Sequence, residues 1–254
     1  MAIDAIDLHL PDPGRIIAFS TRRNASDPSD PYCGFNVCHY TADSPAHVDS
    51  CRDRLCDYLH ISRDRLILPR QTHSLNVAVI DKIPFDPASL EDVDALVTRL
   101  ENVALCINTA DCVPILMADP DAGVIAAVHS GWRGTVRDIA TRTLTAMQSL
   151  GADPAHIHAA MGPSICPDCF EVGEEVAVKF RKAFDPGVVI NNHTKPHIDL
   201  PRAIASRLIK AGLPAANISY PPACSHCNPD TLFSARRHTI NSGRTLSTIM
   251  LKKA

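Results

Sequence analysis

The sequence has no basic excess. Lys and Arg number 25 against 28 Asp and Glu among 254 residues, a formal net charge of −3. Such a balance gives no drive toward phosphate backbones, so no nucleic-acid partner is expected. No stretch reaches the roughly 18 uncharged apolar residues of a transmembrane helix, so no membrane partner is expected either. The opening segment MAIDAIDLHLPDPGR carries acidic residues and lacks the apolar run of a signal peptide. The expected location is therefore cytoplasmic. Internal repeats, low-complexity tracts and a Pro/Gly/Ser-rich linker are also missing. At roughly 150 residues per domain the length allows one or two. Without a linker, the expectation is a single domain over residues 1–254. Hydrophobic residues at 45% and charged residues at 21% suit a chain with a real core and exclude disorder as the main state.

Cysteine and histidine, by contrast, are plentiful: 10 and 12. In a reducing compartment that points to metal or catalysis before disulfides.

Short apolar runs rich in Val, Ile and Leu crowd the middle of the chain. Ala95–Thr98, Val103–Asn108, Val113–Ala118 and Val124–His129 predict buried strands. Arg15–Thr21, Arg65–Pro69, Asn76–Ile80, His156–Met161, Asn217–Tyr220 and Leu246–Leu251 predict further strands. Ser44-Pro45 opens a helix to about His60. A period of three to four residues over Thr135–Leu150 predicts a helix closed by Gly151. Val172–Phe184 and Leu200–Ala211 are two more. The fold class is α/β.

Three segments put ligand-type side chains at strand ends or turns: Gln71-Thr72-His73-Ser74, Thr109-Ala110-Asp111-Cys112, and His129-Ser130-Gly131-Trp132-Arg133-Gly134. His73, Cys112 and His129 can converge on one Zn²⁺, leaving the fourth tetrahedral position open as catalytic sites do. Alternatively, Cys112 is a thiolate nucleophile with His129 or His73 as base and Asp111 orienting it. The residues alone leave both open.

These segments resemble the bacterial laccase-like (multicopper polyphenol oxidase) family, also called peptidoglycan editing factors. The family includes purine nucleoside phosphorylases of the macrophage laccase-domain type. The resemblance extends through Phe19-Ser20-Thr21-Arg22, Phe35-Asn36, Asp94-Ala95-Leu96-Val97-Thr98, Gly162-Pro163-Ser164-Ile165, Phe170-Glu171-Val172-Gly173, Phe233-Ser234-Ala235-Arg236-Arg237 and Ser242-Gly243-Arg244. It implies a single multilayered α/β domain with mixed sheets, similar to cysteine-hydrolase toxin-like folds. It implies Zn²⁺ as cofactor on His73, Cys112 and His129. It also implies phosphorolysis of purine nucleosides, with phosphate as co-substrate, and adenosine deamination in some members. Where the family carries two glycines after the first Arg, this chain has Asn24 and Ala25.

Arg22 and Arg133 are the expected phosphate contacts, since a guanidinium pairs two phosphate oxygens at once. Asn36 is the expected further substrate contact. Asp111 and Glu171 are the candidates for acid/base work, and an Asp beside a ligating His can equally be an orienting group. Trp132 is expected to pack rather than stack on a purine. Phe233, Arg236, Arg237 and Arg244 are expected on a solvated edge strand.

Cys166-Pro167-Asp168-Cys169 and Cys224-Ser225-His226-Cys227 can form a four-cysteine zinc knot. Their separation far exceeds the roughly 15–20 residues of common ribbons, so the expectation is reduced thiols. Cys33, Cys38, Cys51, Cys56 and Cys106 are expected as small buried hydrophobes. Competing functions are a copper oxidase, a metal-free cysteine hydrolase or amidase acting on peptidoglycan precursors, and a non-enzymatic partner protein. The sequence specifies no oligomeric state.

Overall fold

A strand with one polar face can border water, whereas a strand apolar on both faces must be covered twice. The central runs of this chain are of the second kind, and they dictate its layers. The computed structural model describes residues 3–27, 29–191 and 194–253. Its strands are β1 (Ala5–Asp7), β2 (Ile16–Thr21), β3 (Leu66–Ile67), β4 (Val77–Ile80), β5 (Ala95–Thr98), β6 (Ala104–Thr109) and β7 (Val113–Asp119). They continue with β8 (Val124–Ser130), β9 (His158–Met161), β10 (Val189–Ile190), β11 (His197–Ile198), β12 (Ile218–Ser219) and β13 (Thr245–Leu251). The helices are α1 (Pro45–Leu59), α2 (Trp132–Arg137), α3 (Ile139–Ser149), α4 (Glu174–Ala183), α5 (Leu200–Lys210) and α6 (Ala235–His238).

Two mixed sheets form, ordered β1-β2-β13-β6-β3 and β12-β9-β7-β8-β5-β4, beside a small β10-β11 ribbon. The two-residue side-chain period sorts their core. Val113, Ile115 and Met117 of β7 join Ile139, Leu144 and Met147 of α3, Phe180 of α4 and Leu208 of α5. Leu116 and Ala118 point the other way, onto Leu105 and Ile107 of β6 and Ile249 and Leu251 of β13. The far face of the sheet holding β6 and β13, with Ala104, Cys106 and Met250, packs on Cys51, Leu55 and Leu59 of α1. The order is helix, sheet, sheet, helix: a single α/β domain with mixed sheets. Among the described residues no helix is long and apolar enough to cross a membrane.

Three expectations need correction. The helix expected over Thr135–Leu150 is two helices, starting at Trp132 and broken at Asp138, which has φ 66°. Aspartate tolerates the left-handed region, and here its carboxylate accepts the Thr141 N–H at 3.3 Å to cap α3. The segment from Phe233 is no solvated edge strand. Phe233 is fully buried, and the next residues form α6. Of the five cysteines expected inside, Cys38, Cys51, Cys56 and Cys106 are buried, but Cys33 is half-exposed.

Candidate functional site

The chain passes from one sheet to the other between β6 and β7, and Asp111 turns it there with φ 88°. Cys112 follows at the mouth of β7. β8 runs antiparallel to β7 and pairs His129 with Pro114, which brings His129 beside Cys112. His73 arrives on the loop after β3, which polar side chains hold. Gln71 acts as a stretch of strand edge: its Nε2 donates to the Asn108 carbonyl and its Oε1 accepts the Asn108 N–H, both at 2.8 Å. Asp94, fully buried just before β5, accepts the backbone N–H groups of Thr72, His73 and Ser74 at 3.2, 3.1 and 2.7 Å. That grip holds His73 at φ 64°.

The same carboxylate receives the His129 ring, with Nδ1 donating to Asp94 Oδ1 at 2.6 Å. An ionised carboxylate only accepts, so Nδ1 must carry a proton, and Nε2 is the ring nitrogen left to face the site. Cys112 Sγ lies 3.7 Å from His73 Nε2. The two imidazoles cross at 75° with centroids 4.8 Å apart. One donor atom from each of His73, Cys112 and His129 lies within 4.8 Å of the others. Zinc with bonds of 2.0–2.3 Å spaces tetrahedral ligand atoms about 3.3–3.8 Å apart, so the donor set fits that ion with small adjustments. Gly131 makes the room. A Cβ there would stand 2.8 Å from Cys112 Sγ and 2.8 Å from the His73 ring.

The electrostatics are those of a thiolate between imidazoles. Burial pushes the Cys112 thiol up, but the charge of His129 and hydrogen bonds from His129 and His73 outweigh it and bring it down to about 6. Burial pushes His129 down, but the Cys112 thiolate and the Asp94 hydrogen bond raise it to about 9. Asp94, also penalised by burial, is held down at about 2 by His129 and the Ser74 donors.

Other expected site residues fare differently. Asp111 adjoins Cys112 in the chain, but its oxygens accept from Ser225 Oγ at 2.6 Å and from the Arg236 N–H at 2.7 Å. The carboxylate that orients a site histidine is Asp94, which stood in the motif Asp94–Thr98 without an assigned role. Its signal was an acid directly ahead of the apolar run Ala95-Leu96-Val97. Arg133 is exposed, with its guanidinium 4.3 Å above the Trp132 ring. Trp132 packs against the core beneath, and Lys179 also approaches its ring at 5.4 Å. Arg22 pairs with Asp4 at 3.3 Å and lines a cavity of about 530 Å³ whose walls include none of His73, Cys112 and His129. Arg22 follows β2, and its backbone N–H donates to the Asp4 carbonyl beside the edge strand at 3.0 Å. Asn36 is buried. Its amide donates to Asp43 and Thr41 and accepts from the Cys38 and Arg244 N–H groups, so no free edge remains for a substrate. Glu171 pairs with Lys195 at 2.8 Å, which holds its carboxyl below the usual range.

The two C-x-x-C pairs meet. The sulfurs of Cys166, Cys169, Cys224 and Cys227 all lie within 4.8 Å of one another, a set that can hold a metal ion. Sequence spacing argued against this because it measures distance along the chain. A bridge between Ser164 and Cys224 closes that distance in space.

The model of a family described as multi-copper polyphenol oxidoreductase laccase matches residues 16–252. A protein named adenosine deaminase RL5, from an unknown prokaryotic organism, is 49% identical over 92% of this chain and 94% of its own. A purine nucleoside phosphorylase of Bacteroides thetaiotaomicron is 38% identical over 92% of this chain and 91% of its own. Among solved structures, YlmD from Geobacillus stearothermophilus superposes with a TM-score of 0.91 at 27% identity, over 100% of this chain and 98% of that one. With a family model spanning nearly the whole chain, this protein belongs to the multi-copper polyphenol oxidoreductase laccase family.

Proposed function

We propose that this chain is a zinc-dependent purine nucleoside phosphorylase that also deaminates adenosine. One observation carries the reading: His73, Cys112 and His129 converge around the gap at Gly131, with Asp94 fixing the His129 ring. The substrate class follows relatives named adenosine deaminase and purine nucleoside phosphorylase.

In phosphorolysis a phosphate oxygen bonds the anomeric carbon. The N-glycosidic pair departs with the purine, which takes up a proton. Free base and ribose 1-phosphate result. In deamination the oxygen of water replaces the purine amino group, which leaves as ammonia. Zinc held by the trio would supply a Lewis acid beside the purine. The rest falls to the chain's own groups. Asp94 keeps the His129 proton on Nδ1. Gly131 keeps the floor free of a side chain. Arg133, two residues on, is exposed and none of the described carboxylates pairs with it. Its fork suits two phosphate oxygens.

A second reading has its own observation. Cys112, His129 and Asp94 also form a thiolate–imidazolium–carboxylate relay, the arrangement of a cysteine hydrolase. A copper oxidase is disfavoured, because one mononuclear trio without a His-Cys-His motif does not make a multicopper centre.

The test incubates purified protein with adenosine and with inosine, with and without phosphate, and follows bases, nucleosides and ribose 1-phosphate by chromatography. The expected result is phosphate-dependent release of base, lost after chelation and restored by zinc. Absence of base and of inosine under every condition overturns the proposal. Activity that survives chelation yet falls to a thiol alkylator transfers the assignment to the cysteine-hydrolase reading.

A further inference from the structure

The four-cysteine cluster lies outside the machinery described above. Its two strips of chain stand 58 positions apart, yet they are joined by several independent contacts. Ser164 and Cys224 form a bridge, and the Ser225 N–H donates to the Ser164 carbonyl at 3.0 Å. Pro167–Cys169 make a turn of 3₁₀ helix, and His197 Nδ1 sits 2.9 Å from the Pro167 carbonyl to hold that turn. The sulfurs of Cys169 and Cys227 stand 3.4 Å apart. The backbone also serves the sulfurs. The Cys166 N–H donates to Cys224 Sγ at 3.2 Å, the Cys227 N–H points at the same atom, and the Cys169 N–H points at Cys166 Sγ. Such donors stabilise thiolates, and thiolates are what a thiophilic ion requires.

We infer that Cys166, Cys169, Cys224 and Cys227 form a second, structural zinc site that clamps the loop after β9 to the loop after β12. Four zinc–sulfur bonds of about 2.3 Å place the sulfurs about 3.8 Å apart. The observed span, from 3.4 Å to at most 4.8 Å, brackets that value. An iron–sulfur cluster sets its four cysteines around a larger body and does not fit this span. Four protein ligands close the coordination sphere, so the site is structural rather than catalytic. Both clamped strips also grip the turn that carries Cys112. The Ile165 N–H donates to the Asp111 carbonyl at 2.9 Å, and Ser225 Oγ donates to its carboxylate at 2.6 Å.

Because two metals in one chain would confuse an activity assay, the test reads metal directly. Zinc per chain is measured for the protein expressed with zinc, for Cys112→Ala, and for Cys227→Ser. Cys112→Ala is expected to keep one zinc and Cys227→Ser to lose one relative to the parent. If the parent and Cys112→Ala both hold one zinc, the knot stands and the catalytic-zinc reading falls. If Cys112→Ala holds none, the knot is overturned. Should Cys227→Ser fail to fold, cobalt decides. Cys112→Ala reconstituted with Co²⁺ is expected to show the intense visible bands and near-ultraviolet charge transfer of a tetrathiolate. A spectrum lacking thiolate charge transfer overturns the inference.

Discussion

Replacing Asp94 by asparagine keeps shape and removes charge, and the structure says what must follow. Each carboxylate oxygen receives two donors: His73 N–H and His129 Nδ1 on Oδ1, Thr72 and Ser74 N–H on Oδ2. An asparagine amide turns one of those oxygens into NH₂. No flip avoids a donor facing donors. With NH₂ toward Thr72 and Ser74, two N–H groups lose their acceptor, at about 1–3 kcal/mol each for buried groups. With NH₂ toward His129, the ring must move its proton to Nε2 and withdraw the lone pair from the site. Stability should fall by about 2 kcal/mol or more, lowering Tm by about 4–8 °C for a chain of this size. Zinc affinity should fall about 10–100-fold, as losses of ligand-orienting carboxylates do. The acid limb should change too. Asp94 is held at about 2 against an ordinary 3.8, so its contribution is present above about pH 4 and fades as pH falls toward 2. The variant should lack that dependence. Zinc affinity is read by competition with a chromophoric chelator, and Tm by calorimetry between pH 3 and 7. Zinc affinity within threefold of the parent, with an unchanged Tm, would refute the orienting role of Asp94.

Three further outcomes are expected. Gly131→Ala places a methyl 2.8 Å from Cys112 Sγ and from the His73 ring, so one zinc should be lost while the fold persists; full retention of zinc by elemental analysis would contradict the cradle. In metal-stripped protein, Cys112 alkylation by iodoacetamide should be flat above pH 7 and fall as pH drops through about 6, because the thiolate form prevails above that value. Rates that climb toward pH 9 instead would show an unperturbed thiol, and mass spectrometry identifies the residue modified. Arg133→Ala should raise the KM for phosphate about tenfold, a loss near 1.4 kcal/mol, and spare deamination. Arg133→Lys should restore it only partly, since lysine has no fork; unchanged phosphate saturation would remove Arg133 from the phosphate site.

Period and composition determined the layers of this protein. Ile115 and Leu116, adjacent in β7, are both fully buried, and only a strand covered on both faces accepts that pair. His73, Cys112 and His129 were legible as candidates because each sits at a strand end or a polar turn. What local pattern reports is burial, not the identity of the neighbour. Sheet order and register decide which distant segments touch, and they alone brought Asp94 under His129 and joined Cys166–Cys169 to Cys224–Cys227. They also set Arg22 beside Asp4 and enclosed the amide of Asn36 in internal bonds, contacts that no local pattern announces. A hydrogen bond of 2.6 Å between side chains 35 positions apart has no trace in the spacing of either residue. It exists because β5 and β8 lie side by side, and that is settled only when the whole chain packs.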